Sequence, residues 1–288
     1  MKNRSIPELD KLFIEIGTYR KSKEFKELFE FVKRFPHIAP YNAMLIHIQK
    51  PGSQYVASAG EWHRIFNREI NAGARPLVIL RPFGPVAFVF ELGDTNGKEP
   101  FPESLINPFK VKGELSESVF NRFITNLRCD GILYNEADHG TASAGYIQIC
   151  NNQKEAKIVR NRKETNMKIL YDMVVNRNHN RETKFATVLH ELAHVYCGHL
   201  GTLNSKWWDD RRYLERDECE FEAESVCWLI CERMGIINPS AKYLSEYLKY
   251  NEEIPNISID VVLKSVAMIE TMIQGTKEPR KELIVNIQ

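Results

Sequence analysis

Residues 183–198 read Thr183-Lys-Phe-Ala-Thr-Val-Leu-His-Glu-Leu-Ala-His-Val-Tyr-Cys-Gly198, with Phe185, Leu189, Leu192 and Tyr196 recurring three or four apart. That spacing is the signature of a helix with one buried face, and Gly198 is a natural stop for it. On such a helix His190 and His194 stand one turn apart on the same side, so two imidazoles can converge on one ion while Glu191 sits one position along. This is the H-E-x-x-H device, in which zinc is the expected metal (Zn2+) and the glutamate the general base.

Two histidines do not complete a catalytic zinc site, which takes three protein ligands and leaves a fourth position open. His199 is the nearest further histidine, but its spacing from His194 departs from the H-E-x-x-H-x-x-G-x-x-H pattern, and it follows the glycine that ends the helix. The stretch Glu218-Cys219-Glu220-Phe221-Glu222-Ala223-Glu224 offers a better donor. Glu220 and Glu224 share one helical face, where their repulsion calls for a cation or a hydrogen-bond donor, and a zinc ion would supply it. We therefore expect Glu220 as third ligand and Glu224 as acceptor for the second N–H of a ligating histidine. The four glutamates alternate, so some of them must form a solvated face. An oxyanion-stabilising donor is also expected, with Tyr171, Tyr196 and His199 as candidates.

Around this core the pattern is mixed. Helical periodicity runs through residues 6–34 (two short helices), 41–49, 116–127, 213–234, 239–249 and 258–273. Leu77–Leu80 and Val86–Phe90, separated by Pro82, Gly84 and Pro85, read as a β-hairpin; Gly145–Cys150 and Lys168–Val175 read as strands, with a polar, basic loop over residues 151–166. Residues 91–112 carry three prolines, two glycines and little periodicity, which places a domain boundary at 112. The expected class is α+β. A smaller α+β domain over 1–112 precedes a domain over 113–288 that has a small mixed sheet, the active-site helix and C-terminal helices.

Composition bounds the function classes. The 288 residues carry net charge +1, but 17 Lys+Arg against 12 Asp+Glu up to residue 112 and 22 against 26 beyond it give +5 and −4. The mild N-terminal excess fits contact with a polyanion. The N-terminus lacks the uninterrupted apolar run of a signal peptide, and no stretch approaches the ~20 apolar residues of a membrane span, so a cytoplasmic protein without a membrane partner is expected. All six cysteines lie in the second half without a C-x-x-C pair, and Cys227 and Cys231 read as buried apolar residues.

Two segments together, FATVLHELAHVYCGH (185–199) and EFEAESVCWLICERMGI (220–236), resemble the zincin domain of the ImmA/IrrE and ArdC-type metallopeptidases. Upstream, PYNAMLIHIQKPGSQYVASAGEWHRIFNREINAGARPLVILRPF (40–83) resembles the N-terminal single-stranded-DNA-binding domain of ArdC-type antirestriction proteins, through Asn42, Trp62 and the basic hairpin that follows. The resemblance implies a zinc metallopeptidase with an E-x-x-x-D/E third-ligand helix, which falls on Glu220 and Glu224. It also implies that Gly145, Tyr146 and Ile147 begin an edge strand on which a peptide lies by β-augmentation. Tyr41, Trp62 and Phe66 could stack bases while Arg64, Arg68, Arg75 and Arg81 follow phosphates; equally, Trp62 and Phe66, four apart, could be core. The implied partners are a protein substrate such as a repressor or another DNA-associated protein, and single-stranded DNA. The rival expectation is an antirestriction or regulatory DNA-binding protein whose zinc domain is weakly proteolytic or not proteolytic.

Overall fold

A computed structural model describes residues 22–81, 84–106, 115–138, 144–160, 163–236 and 254–285. The chain divides into two compact units, Met1–Lys112 with Arg233–Gly235 and Leu248–Ile254, and Gly113–Glu232 with Ile236–Tyr247 and Pro255–Gln288. The expected helices within residues 6–21 and over 239–249 fall outside the described residues.

In the first unit, helix α1 (Ser22–Lys33) buries Phe25, Leu28, Phe29 and Val32 at the spacing seen in the sequence. Helix α2 (Pro40–Gln49) starts on a proline, whose missing N–H costs nothing at that position. After strand β1 (Val56–Ala57), helix α3 (Ala59–Phe66) opens with a reciprocal Ser58–Glu61 capping box. Strands β2 (Arg68–Ile70), β3 (Leu77–Arg81) and β4 (Gly84–Glu91) follow, the last two pairing antiparallel as the hairpin expected from their β-forming runs. The sheet order is β1-β4-β3, so β3 lies at an edge. Side-chain amides of α2 cover that edge: Asn42 exchanges two hydrogen bonds with the Leu80 backbone (2.9 and 3.0 Å), and Gln49 two with Val78 (2.8 and 2.9 Å). They take the place of a neighbouring strand on groups that would otherwise be left unpaired.

The segment read as plain loop contains regular elements. Strand β5 (Thr95–Gly97) pairs with β2, and a short helix α4 (Glu103–Ile106) follows. The Arg68 guanidinium clamps the β2–β5 pair, reaching Thr95 Oγ1 (2.8 Å), Thr95 O and Glu99 O.

The second unit packs helices on a three-stranded mixed sheet of order β6-β8-β7. Helix α5 (Glu117–Leu127) leads into β6 (Ile132–Ala137), which runs parallel to β8 (Lys163–Asn176); β7 (Gly145–Arg160) is antiparallel to β8 and forms an edge. The expected basic loop over 151–166 is instead the far arm of this hairpin. Charged and amide residues crowd this ribbon, and its few apolar positions are split between buried Ile158 and Met167 and 64%-exposed Val159, so hydropathy missed it. The register slips between Ile149↔Tyr171 and Lys154↔Ile169, a bulge that separates the arm from the strand beside the helices. Helices α6 (Arg181–Tyr196), α7 (Arg216–Met234) and α8 (Ile259–Gln274) complete the unit. Cys227 and Cys231 are fully buried on α7. Among the described residues no helix is long and apolar enough to cross a membrane.

Candidate metal centre

Helix α6 is held on every side but one. Asn180 caps its first turn through Thr183 N, and Phe185, Val188, Leu189, Leu192 and Val195 are fully buried. Each such side chain contributes roughly 1.5–3 kcal/mol by leaving water. The Tyr196 hydroxyl donates to buried Asp130, which also receives Lys277 Nζ (2.6 Å) and Arg280 Nε (2.8 Å). This leaves His190, Glu191 and His194 on the half-open side of the helix.

The helix ends as the glycine suggests. Gly198 N–H bonds Val195 O and His199 N–H bonds His194 O (both 3.0 Å), a Schellman turn about Gly198 at φ +79°. A side chain at Gly198 is excluded twice over, since a Cβ there would lie 2.0 Å from Asp209 O. The turn carries His199 back beneath the ring of His194, where the two Nδ1 atoms are 2.9 Å apart.

From α7, Glu220 meets both histidines of α6. His190 Nε2 lies 3.2 Å from His194 Nε2 and 3.4 Å from Glu220 Oε2, and His194 Nε2 lies 4.0 Å from the same oxygen. Tetrahedral coordination with bonds of about 2.0–2.2 Å holds donor atoms roughly 3.3–3.5 Å apart, so the three donors stand close to the spacing a divalent ion imposes. Glu224 stands behind them, Oε1 at 3.3 Å from His190 Nδ1, as expected of a carboxylate that orients a ligating imidazole. Its other oxygen is buried without a partner among the described residues.

The electrostatics describe a place for positive charge. Burial alone would lower the His190 pKa, but the Glu220 and Glu224 carboxylates outweigh it and raise it to about 10. Burial, with the charge on His190 next, pushes His194 down to about 3, so its ring is neutral. Hydrogen bonding from His190 lowers Glu220. Glu191 is raised by burial and by Glu220, while its carboxylate accepts a hydrogen bond from Ile147 N–H on the β7 edge. Gly145 allows that approach, because a Cβ there would fall 2.8 Å from Thr187 Cγ2 on α6 and 2.7 Å from Val174 O.

Glu222, on the α7 face opposite Glu220, is fully buried rather than solvated. It holds Arg211 in a two-pronged pair (2.5 and 2.6 Å), accepts Ser258 N–H (2.7 Å) and lies 3.0 Å from His199 Nε2. Cys197, His199 and Glu222 also come within ligand distance of one another. The Arg211 guanidinium already supplies the cation there, and burial holds the Cys197 thiol far above its usual pKa, so a second ion is disfavoured. Sequence reading missed Glu222 and Arg211; no periodicity marks Arg211.

Several expected roles need correction. His199 has both ring nitrogens engaged and Tyr196 has its hydroxyl on Asp130, so neither is free to stabilise an oxyanion. Tyr171 lines a cavity of about 470 Å3 with Ile149, Leu200 and Leu203, and among the described residues its phenol has no hydrogen bond to His190, His194 or Glu220. In the first unit, Trp62 is fully buried with its indole N–H on Phe90 O and is unavailable to bases, and Phe66 is half-buried, packed against Trp62, Tyr55 and Phe101. Arg68 is spent on the β2–β5 clamp. Tyr41 is half-buried, whereas Arg64, Arg75 and Arg81 are exposed.

No protein-family model and no curated protein matches the chain. Among solved structures it is similar to the metal-free crystal structure of the antirestriction protein ArdC from plasmid R388, at 13% identity over 81% of each chain, with a TM-score of 0.37.

Proposed function

We propose that the second unit is a zinc-dependent peptidase in which His190, His194 and Glu220 hold the ion and Glu191 is the general base. The observation that carries the reading is the convergence of two Nε2 atoms and one carboxylate oxygen at 3.2–4.0 Å, beside the half-buried Glu191 carboxylate that touches a sheet edge. Bound zinc would supply Lewis acidity toward a carbonyl oxygen and toward water. Glu191 takes a proton from the attacking water at its carboxylate and returns it to the leaving amine; a pKa raised by burial suits both transfers. Ile147 N–H holds Glu191 in place, and β7, the edge strand that carries it, is where an extended substrate would lie.

The test is elemental analysis of the purified protein together with digestion of a peptide library by wild type and Glu191→Gln. Both should carry zinc and only the wild type should cleave. A zinc-loaded wild type that cleaves nothing, or a Glu191→Gln protein that cleaves equally, overturns the reading.

A second reading is a single-stranded-nucleic-acid-binding protein, antirestriction or regulatory in role, whose zinc centre is not proteolytic. It is supported by the hairpin of the first unit, where Phe88 is 56% exposed and Val78, Leu80, Arg75 and Arg81 are open to solvent. An exposed aromatic beside cations is what base stacking and phosphate contact require. Binding of an oligodeoxythymidine should weaken steeply with salt, and no binding at low salt rejects this reading. The readings separate under Glu191→Gln, which removes a proteolytic function and leaves a DNA-binding one.

A further inference from the structure

His190 and His194 are oriented by different means. His190 turns its Nδ1 directly to a carboxylate, Glu224, at 3.3 Å. Among the described residues His194 has no carboxylate at its Nδ1, which meets His199 Nδ1 at 2.9 Å. The cause is helical geometry. Glu222, two positions from Glu220, lies roughly 200° around α7 and projects to the opposite face. The Schellman turn at Gly198 fills the gap by swinging His199 between His194 and Glu222.

The hydrogen bonds then follow from one end. Glu222 is a carboxylate held by Arg211 and by Ser258 N–H, so it can only accept. His199 Nε2 must therefore donate to it. Arg211 already balances the Glu222 charge, so one proton on the His199 ring is enough: it sits on Nε2, Nδ1 keeps its lone pair, and His194 donates to that lone pair from Nδ1. That leaves His194 Nε2 without hydrogen and facing His190 Nε2 and Glu220 Oε2. Arg211 also donates to Cys197 O (3.1 Å), so the partner that fixes Glu222 is tied to the end of α6 itself.

We propose that His199, backed by Glu222 and Arg211, is a positioning residue that fixes the ring orientation and tautomer of His194, so that its Nε2 lone pair faces the metal position before any ion arrives. The proposal rests on the metal-binding half of the reading above and not on its peptidase half. Outer partners of this kind typically change metal affinity 10–100-fold when removed.

The test compares wild type, His199→Leu and His199→Gln by long-range 1H–15N spectra of the metal-free proteins and by zinc affinity from chelator competition, with circular dichroism as the check on folding. Wild type should show His194 protonated at Nδ1. His199→Leu should lose that preference and about 10–100-fold in zinc affinity. His199→Gln, whose amide can accept from His194 and donate to Glu222, should recover most of both. Zinc binding by a folded His199→Leu protein at wild-type strength, or a Gln variant as weak as the Leu one, overturns the proposal. So does wild-type His194 protonated at Nε2, which can be read even if no zinc binds. A wild type that holds zinc but cleaves no peptide defeats the peptidase reading and leaves this one standing.

Discussion

Gly198→Ala should be among the most damaging one-carbon additions in the chain, and Gly201→Ala supplies its control. Both glycines sit at φ +79°, so either alanine meets the left-handed penalty of about 1–2 kcal/mol. At Gly201 the three atoms nearest the new Cβ all belong to the Arg212 side chain, beginning with Nε at 2.9 Å. That exposed side chain can swing away with loss of its solvent-screened surface pair to Asp210. At Gly198 the Cβ lands 2.0 Å from the Asp209 backbone oxygen, and the strand of chain carrying it must retreat by roughly 1–1.5 Å to reach an ordinary contact. Arg211 N–H is bonded to Gly198 O in that segment, and the Arg211 guanidinium holds Glu222, so the retreat strains both. We expect about 3–5 kcal/mol for Gly198→Ala against about 1–3 for Gly201→Ala. At roughly 2–4 °C per kcal/mol, thermal melts by circular dichroism should separate the two by several degrees. Zinc affinity should fall for the first alone. Equal losses in the two variants would refute the account of Gly198 as a close-approach glycine.

Three further outcomes are expected. Asp130→Asn leaves Lys277 and Arg280 facing a neutral buried amide and should cost about 3–5 kcal/mol in urea unfolding, with little change in zinc content. Glu222 is pulled toward higher pKa by burial, but hydrogen bonds from His199 and Arg211 outweigh this and hold it below the usual carboxylate range. Its stability contribution is therefore complete above about pH 4.5 and lost as pH falls through the lower folded-state value. Unfolding free energies measured from pH 3 to 7 should be flatter below about pH 4.5 in Glu222→Gln than in wild type. Replacing Asn42 and Gln49 by alanine uncovers the β3 edge, and light scattering should report concentration-dependent association that wild type lacks.

The centre of the second unit was legible because its signals are local. The 3.6-residue recurrence around His190, the glycine at 198 and the i, i+4 pair Glu220 and Glu224 each act within one helix, and the structure brings His190, His194, Glu220 and Glu224 together. What the sequence hid depends on partners distant along the chain. Glu222 looks like its solvated neighbours until Arg211, eleven residues earlier in an aperiodic stretch, reaches it. Tyr196 sits two positions from a histidine of the site, yet points to Asp130, 66 residues away. In the first unit, an i, i+4 aromatic pair is equally compatible with a core and with a stacking platform; Tyr55 and Phe101 pack against it, burying Trp62 and leaving Phe66 half-buried.

The Arg211–Glu222 pair also constrains how this sequence can change over time. Each side chain is buried, and removing either leaves the other's charge without its partner, at a cost of about 3–5 kcal/mol. A chain with the modest stability of an ordinary domain tolerates few losses of that size. Single substitutions at 211 or 222 are therefore near dead ends, whereas a simultaneous exchange for two apolar side chains of matched volume is far less harmful to the fold. The two positions should drift together or stay fixed, and since His199 leans on both, the geometry of His194 is inherited as one block with them.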